Sequence, residues 1–179
     1  LGNWPAPWGI EYRIDLANAF MLVIVTLVGS AVMPYARASI AAEIPEERIY
    51  LFYCMYLLNL AGLLGMAITG DVFNLFVFLE ISSLSSYVMI SLGRDRSALT
   101  AAYRYLIMGT IGATFYIIGV GMMYMATGSL NMADLANLIP ATAGSRTILV
   151  ALAFITVGLG LKLALVPLHM WLPNAYAHA

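Results

Sequence analysis

The chain has 179 residues and a formal net charge of −1; 63% of its residues are apolar and only 9% are charged. Soluble proteins carry roughly 25% charged residues, so this composition indicates a protein whose solvent is lipid. It excludes a nucleic-acid-binding domain, which needs a basic surface, and a disordered chain, which needs many polar residues. The single cysteine, Cys54, excludes a disulfide scaffold.

Five apolar runs are long enough to cross a bilayer as helices. A hydrocarbon core of about 30 Å needs roughly 20 apolar residues, and the runs lack the alternation of barrel strands. We therefore predict an all-α, polytopic transmembrane bundle with spans at 16–35, 49–69, 72–92, 103–127 and 147–168. Pro167 is expected to break the fifth span, with a short half-helix from His169 onward and a second break at Pro173. The chain starts at Leu1 and ends without a polar tail, so we expect a piece of a longer protein.

The basic residues predict the orientation of the spans. The segments 36–48 and 93–102 are expected to be loops on one side of the membrane, and 128–146 a loop on the other. Five arginines lie on the first side and two on the second: Arg37, Arg48, Arg94, Arg96 and Arg104 against Arg13 and Arg146. By the positive-inside rule, the first side faces the cytoplasm.

Two charged residues, Glu80 and Lys162, lie in the middle of predicted spans. A charge at a helix centre costs about 2.5–3.5 kcal/mol on insertion scales, and such residues usually pair or line an ion path. Glu80 lies ~12 Å and Lys162 ~18–22 Å from the outer ends of their helices, which places both near the midplane. The pattern predicts that they pair, as a proton relay or as a structural ion pair that locks two helices.

Polar residues on the same helix faces extend this site. Ser83 and Tyr87 follow Glu80 at helical spacing toward the cytoplasm, and His169 follows Lys162 by two turns. His169 could relay protons or simply bond a backbone carbonyl. Asp71 precedes its helix at the N-cap position, near water, where it would cap the helix or admit ions.

The sequence does not show the residue patterns that other kinds of functional site require. His169 and His178 do not have metal-ligand spacing, and no glycine-rich phosphate loop or nucleophile–base set is visible. We predict no metal, no cofactor and no nucleic-acid partner.

The run TGDVFNLFVFLEISSLSSYVMISLG resembles the fifth transmembrane helix of the antiporter-like subunits of respiratory complex I and its relatives. The run GLGLKLALVPLHMWLPNAYAHA resembles their broken seventh helix. GNWPAPWGI and GDVFNLF resemble, more particularly, the D-type subunit of the Mrp-type cation/proton antiporters. The resemblance extends over the whole chain.

The resemblance implies a fourteen-helix subunit with inverted five-helix repeats, of which residues 1–179 would be a single membrane domain holding roughly helices three to seven. It also implies that Glu80 and Lys162 form the pair that moves protons. The family's LPDAH reads LPNAY here, so no family role is carried over to Asn174 or Tyr176.

The function that follows is a multi-pass subunit of the cell (inner) membrane in a multisubunit antiporter, exchanging Na⁺ or K⁺ for protons. Its partners would be the lipid bilayer and other membrane subunits. The alternative is a proton-pumping subunit of a complex-I-like NADH dehydrogenase or hydrogenase, so the chain would be a transporter subunit rather than an enzyme unless it belongs to a redox-driven complex. Two further hypotheses are a structural scaffold, in which the midplane charges are dispensable, and an intramembrane enzyme; the latter lacks a nucleophile–base pair on one face.

Overall fold

The computed structural model describes residues 3–93, 96–142 and 144–178, and the described residues form helices joined by short connections. In chain order these are α1 (Leu16–Glu43), a 3-10 turn (Glu46–Arg48), α2 (Ile49–Ile68), α3 (Val72–Ser91), α4 (Arg96–Thr127), α5 (Met132–Thr142), α6 (Arg146–Lys162) and α7 (Leu172–His178). The all-α prediction is confirmed. Arg94, counted above among the cytoplasmic arginines, lies outside the described residues.

Four helices of the described chain are long and apolar enough to cross a membrane: α1, α2 together with the preceding 3-10 turn, α3 and α4. For the fifth predicted span, 147–168, the predicted C-terminal end is wrong, because α6 has 17 residues and stops at Lys162. At 1.5 Å per residue, α6 is about 25 Å long and nearly crosses the hydrocarbon core.

The end of α6 has a clear local cause. The Leu165 N–H donates to the Gly160 carbonyl at 2.9 Å and the Ala164 N–H to the Leu161 carbonyl at 3.2 Å. This is the Schellman pattern, with Ala164 at φ 52° in the position that glycine usually takes. Pro167 has no N–H to donate and would clash with the Leu163 carbonyl four residues before it, which disfavours continuing the helix past this point. The break therefore precedes the proline. The predicted second break at Pro173 is also wrong, since Pro173 lies in the first turn of α7, where proline is tolerated.

Three predicted loops contain more helix than expected. α1 continues through Pro34 to Glu43, because the residues after the proline are mostly good helix formers. α4 already begins at Arg96. The predicted loop 128–146 contains α5, whose first N–H groups are capped by the side-chain oxygen of Asn131 at 3.0 and 3.1 Å.

Backbone hydrogen bonds join three connections at one end of the bundle. Gly70 donates to the Glu11 carbonyl at 2.9 Å and accepts from the Met132 N–H at 2.8 Å, and Val72 donates to the Leu130 carbonyl at 2.9 Å. We call residues 11–13, 68–72 and 130–132 the end layer. The predicted spans alternate in direction, which places these three segments on the same side of the membrane, and the end layer agrees with this prediction. The hydrogen bonds of the end layer also fix the start of α3.

Small residues set the helix spacing. A Cβ atom at Gly158 of α6 would lie 2.6 Å from the Tyr116 amide nitrogen of α4, and one at Gly62 of α2 would lie 2.8 Å from the Ser82 nitrogen of α3. Helices that approach this closely gain packing contacts where no hydrophobic effect drives association. The close packing of α6 against α4 places Lys162, at the end of α6, near α3.

Candidate functional site: a buried ion pair at a broken helix

The two midplane charges meet between α3 and the end of α6. Lys162 Nζ lies 2.9 Å from Glu80 Oε1 and donates a second hydrogen bond to Ser83 Oγ at 2.6 Å. The side chain of Lys162 is 10% exposed and that of Glu80 is 24% exposed. The predicted pairing is therefore present, with Ser83 as a second acceptor; its role in proton movement stays a prediction.

The sequence pattern predicted that Lys162 lies in the middle of a helix, and this prediction is wrong. Lys162 is the last residue of α6, one residue before the cap. A cation at a helix C-terminus interacts favourably with the unpaired carbonyl groups and the negative end of the helix dipole. Two negative groups thus stabilise the positive charge of the lysine: the carboxylate of Glu80 and the C-terminal end of its own helix.

Tyr87 continues the polar face of α3 beyond Ser83. Its hydroxyl is buried and, within the described residues, has no hydrogen-bond partner. Gly109 of α4 makes room for it, because a methyl group there would overlap the hydroxyl. A buried hydroxyl without a partner is a natural position for a water molecule.

His169 lies in the non-helical segment between α6 and α7, half-buried. Its Nδ1 atom is buried and has no partner among the described residues. No direct hydrogen bond joins it to Lys162 in the described parts of the chain, so the predicted step between these two residues would need an intervening group.

Asp71 caps α3, as predicted. Its Oδ1 atom accepts the Asn74 N–H at 2.7 Å. Asp71 is only 6% exposed, and it lines a cavity together with Trp8, Ser129 and Asp134. The Asn131 amide, also in the end layer, bonds to the Glu11 carboxylate at 2.8 Å. Nothing in this geometry tests ion entry at Asp71.

Sequence reasoning missed an aromatic cluster beside the ion pair. The Trp171 ring stacks on Tyr105 of α4, with centroids 4.1 Å apart and planes 2° apart. Tyr105 in turn contacts Tyr87 edge-on at 4.5 Å. The Trp171 indole N–H donates to the Leu161 carbonyl at 3.0 Å. The only available signal was the position of the tryptophan a few residues after the break, which does not reveal its partners.

The fold and the site define a class: a multi-pass, all-α membrane protein with a partly buried lysine–glutamate pair at the end of a broken helix. The family described as "NADH:quinone oxidoreductase/Mrp antiporter, TM" matches residues 69–179, more than half of the chain. The chain belongs to this family, which confirms the resemblance to the antiporter-like superfamily.

Relatives come from both branches of the family. The chain is 52% identical over 178 residues to the N-type subunit of the NADH-quinone oxidoreductase of Desulforudis audaxviator, covering 99% of this chain and 35% of that protein. It is 37% identical over 176 residues to the D-type subunit of the Na(+)/H(+) antiporter of Alkalihalophilus pseudofirmus, covering 98% of this chain and 35% of that protein. The chain thus spans about a third of the length of these relatives.

Solved structures agree with the fold. The membrane-bound sulfane sulfur reductase, an archaeal respiratory membrane complex, contains a chain that matches with a TM-score of 0.89 and 37% identity, over 99% of this chain and 36% of that one. The Mrp complex from Dietzia sp. DQ12-45-1b contains one that matches with a TM-score of 0.84 and 30% identity, over 98% and 32%.

Proposed function

We propose that this chain is part of a proton-translocating membrane subunit, in which Glu80 and Lys162 form a relay. The observation that carries the proposal is the double contact of Lys162 Nζ, to Glu80 at 2.9 Å and to Ser83 at 2.6 Å, at the end of a broken helix. A buried pair with only a structural role could be replaced by packed apolar residues without loss. A broken helix, by contrast, is the feature with which transporters place backbone dipoles beside ions.

The mechanism is electrostatic. While the two side chains are in contact, each stabilises the charged form of the other. Separating them leaves two charges in a medium of low dielectric constant, where each neutral form is favoured. Glu80 would then take up a proton and Lys162 would release one. Repeated closing and opening of the contact moves protons if uptake and release occur from different sides.

The polar residues on either side of the Glu80–Lys162 pair are suitably placed for a proton path to and from it. Ser83 and Tyr87 extend from Glu80 along α3, and the unpaired Tyr87 hydroxyl offers a water position. His169 offers a second unpaired buried nitrogen beyond the α6 break. Asp71, at the outer end of α3, acts as a cap, and ion entry there is the weaker alternative.

The complete protein has two candidate activities. The first is exchange of Na⁺ or K⁺ for protons in a multisubunit antiporter, with this chain as roughly helices three to seven of a fourteen-helix subunit. It is supported by the relative from a Na(+)/H(+) antiporter and by the match to an Mrp complex. The second is redox-driven proton pumping, supported by the relative from an NADH-quinone oxidoreductase. In either case, other membrane subunits would be the partners, as in the matched complexes.

The test uses the full-length subunit, assembled with its partners, in everted vesicles. Cation-dependent dequenching of a pH-sensitive dye under an imposed pH gradient reports antiport, whereas NADH-driven quenching reports redox pumping. Glu80→Gln cannot ionise and Lys162→Arg hardly ever releases a proton, so both should abolish the activity that the wild-type complex shows. Glu43→Gln, at the exposed end of α1, is the matched control and should retain it. Near-normal activity in Glu80→Gln at equal assembly would refute the relay and favour a scaffold.

A further inference from the structure

We infer that Trp171 is a positioning residue, which holds the broken end of α6 so that Lys162 reaches Glu80. The inference rests on the proposed relay. Its structural basis is one hydrogen bond that crosses the break: the Trp171 indole N–H donates to the Leu161 carbonyl at 3.0 Å, and the bond is buried. That carbonyl belongs to the peptide unit that joins Leu161 to Lys162.

The carbonyl groups at the end of a helix have no helical partners, and other groups must satisfy them. Those of Leu159 and Gly160 accept N–H groups of Leu163 and Leu165, within the same turn. The Leu161 carbonyl accepts from the Leu163 N–H and, at 3.2 Å, from the Ala164 N–H, both within the turn, and from the indole. Trp171 is therefore the side chain from beyond the break that fixes the peptide unit next to the lysine.

Trp171 is itself firmly held. It is 7% exposed, whereas Leu163, Val166 and Met170 in the same segment are 69%, 81% and 72% exposed. Its ring stacks on Tyr105 of α4, so the segment after the break is anchored to α4 through this residue.

The same stack reaches the other side of the ion pair. Tyr105 contacts the ring of Tyr87, which lies one helical turn beyond Ser83, the second acceptor of Lys162, on α3. Trp171 thus contacts the backbone that carries the lysine and, through Tyr105, the helix that carries its acceptors. Any movement that takes the Lys162 backbone away from Glu80 must break the indole bond or carry Trp171 along.

The expected effect of Trp171→Phe follows from its chemistry. Phenylalanine keeps an aromatic ring for stacking but has no N–H donor. Loss of one intramolecular hydrogen bond changes an equilibrium by roughly fivefold. The turn at Leu163–Leu165 should therefore open about fivefold more often, which raises the ratio of open to paired states by a similar factor.

The experiment measures this opening directly, by hydrogen–deuterium exchange of the 163–165 amides in the full-length subunit within its complex. Trp171→Phe should raise that exchange roughly fivefold and leave the α4 amides unchanged. Tyr105→Leu, which removes the stacking surface, should raise it as well. Trp4→Phe is the matched control, since Trp4 is 71% exposed in the segment that precedes α1.

Transport supplies the second readout. In Trp171→Phe, the maximal rate per assembled complex should fall while the half-saturating cation concentration stays constant, because Lys162 returns less precisely to Glu80. A residue that only supports folding would lower the amount of complex and leave its rate unchanged. Unaltered amide exchange at 163–165 in Trp171→Phe would overturn the inference. The amide readout does not depend on transport, so it separates this outcome from failure of the relay itself, which Glu80→Gln tests.

Discussion

Removing the two charges singly and together separates a relay from a structural lock. The variants are Lys162→Met, Glu80→Gln and the double substitution, made in the full-length subunit. At a separation of 2.9 Å and an effective dielectric constant of about 20, the gross attraction between the two charges is about 6 kcal/mol. Desolvation offsets much of this attraction, but removing one partner leaves the other buried and unpaired, at a cost of about 3–5 kcal/mol.

The two single variants should differ. Lys162→Met leaves the Glu80 carboxylate without its cation and should show the larger loss. Glu80→Gln should be milder, because Lys162 keeps its bond to Ser83 and its place at the α6 terminus. In the double variant no charge is left unpaired, so its stability should return to within about 1–2 kcal/mol of the wild type.

Thermal unfolding of the purified complex in detergent gives the order of stabilities, and proton-coupled transport in vesicles gives the activity. The expected pattern is a stable but inactive double variant. If the losses of the two single variants simply add, the pair is not coupled and the electrostatic reasoning is wrong. A double variant that transports normally would show that the pair only locks the helices together.

Three further predictions concern the surroundings of the pair. Gly109→Ala should displace the Tyr87 hydroxyl and lower transport, whereas Gly121→Ala, which has open space around it, should be neutral in the same vesicle assay. Ala164→Gly should stabilise the complex by about 1 kcal/mol in thermal unfolding, since φ is 52° at that position and glycine adopts it without cost. Asp71→Asn should leave expression and transport near normal because asparagine caps a helix as well as aspartate; a loss equal to that of Glu80→Gln would favour ion entry at Asp71.

The sequence was most informative where lipid imposes strong constraints. Long apolar runs predict helices, and a charge within such a run is costly enough that a partner is expected; this is why the pairing of Glu80 and Lys162 could be predicted from two residues 82 positions apart. The ends of the helices were less predictable. Hydropathy does not distinguish a helix that continues through Pro34 from one that ends there, and the Schellman turn at Ala164 lacks the glycine that usually marks it.

The contacts that hold the pair in place could not be predicted at all. Tyr105 and Gly109 lie on α4 and Trp171 follows the break in α6, and each is locally typical of ordinary membrane-protein packing. The role of Gly109 arises from the packing of α4 against α3, and that of Trp171 from the path of the chain after the break, which brings it back to the carbonyl of Leu161.

In the proposed relay, the break in α6 would allow Lys162 to be charged at this depth and still change partners. Within a continuous helix, the backbone around Lys162 would be fixed by helical hydrogen bonds, and only its side chain could move. At the end of α6, the helix terminus offers a fixed negative environment, and Glu80 offers one that disappears when the carboxylate takes up a proton. The lysine thus retains partial stabilisation when Glu80 becomes neutral, which limits the cost of separating the pair. Three parts of the site would therefore act as one unit: the end of α6, the Trp171 indole bond that holds it, and the Glu80 carboxylate opposite it.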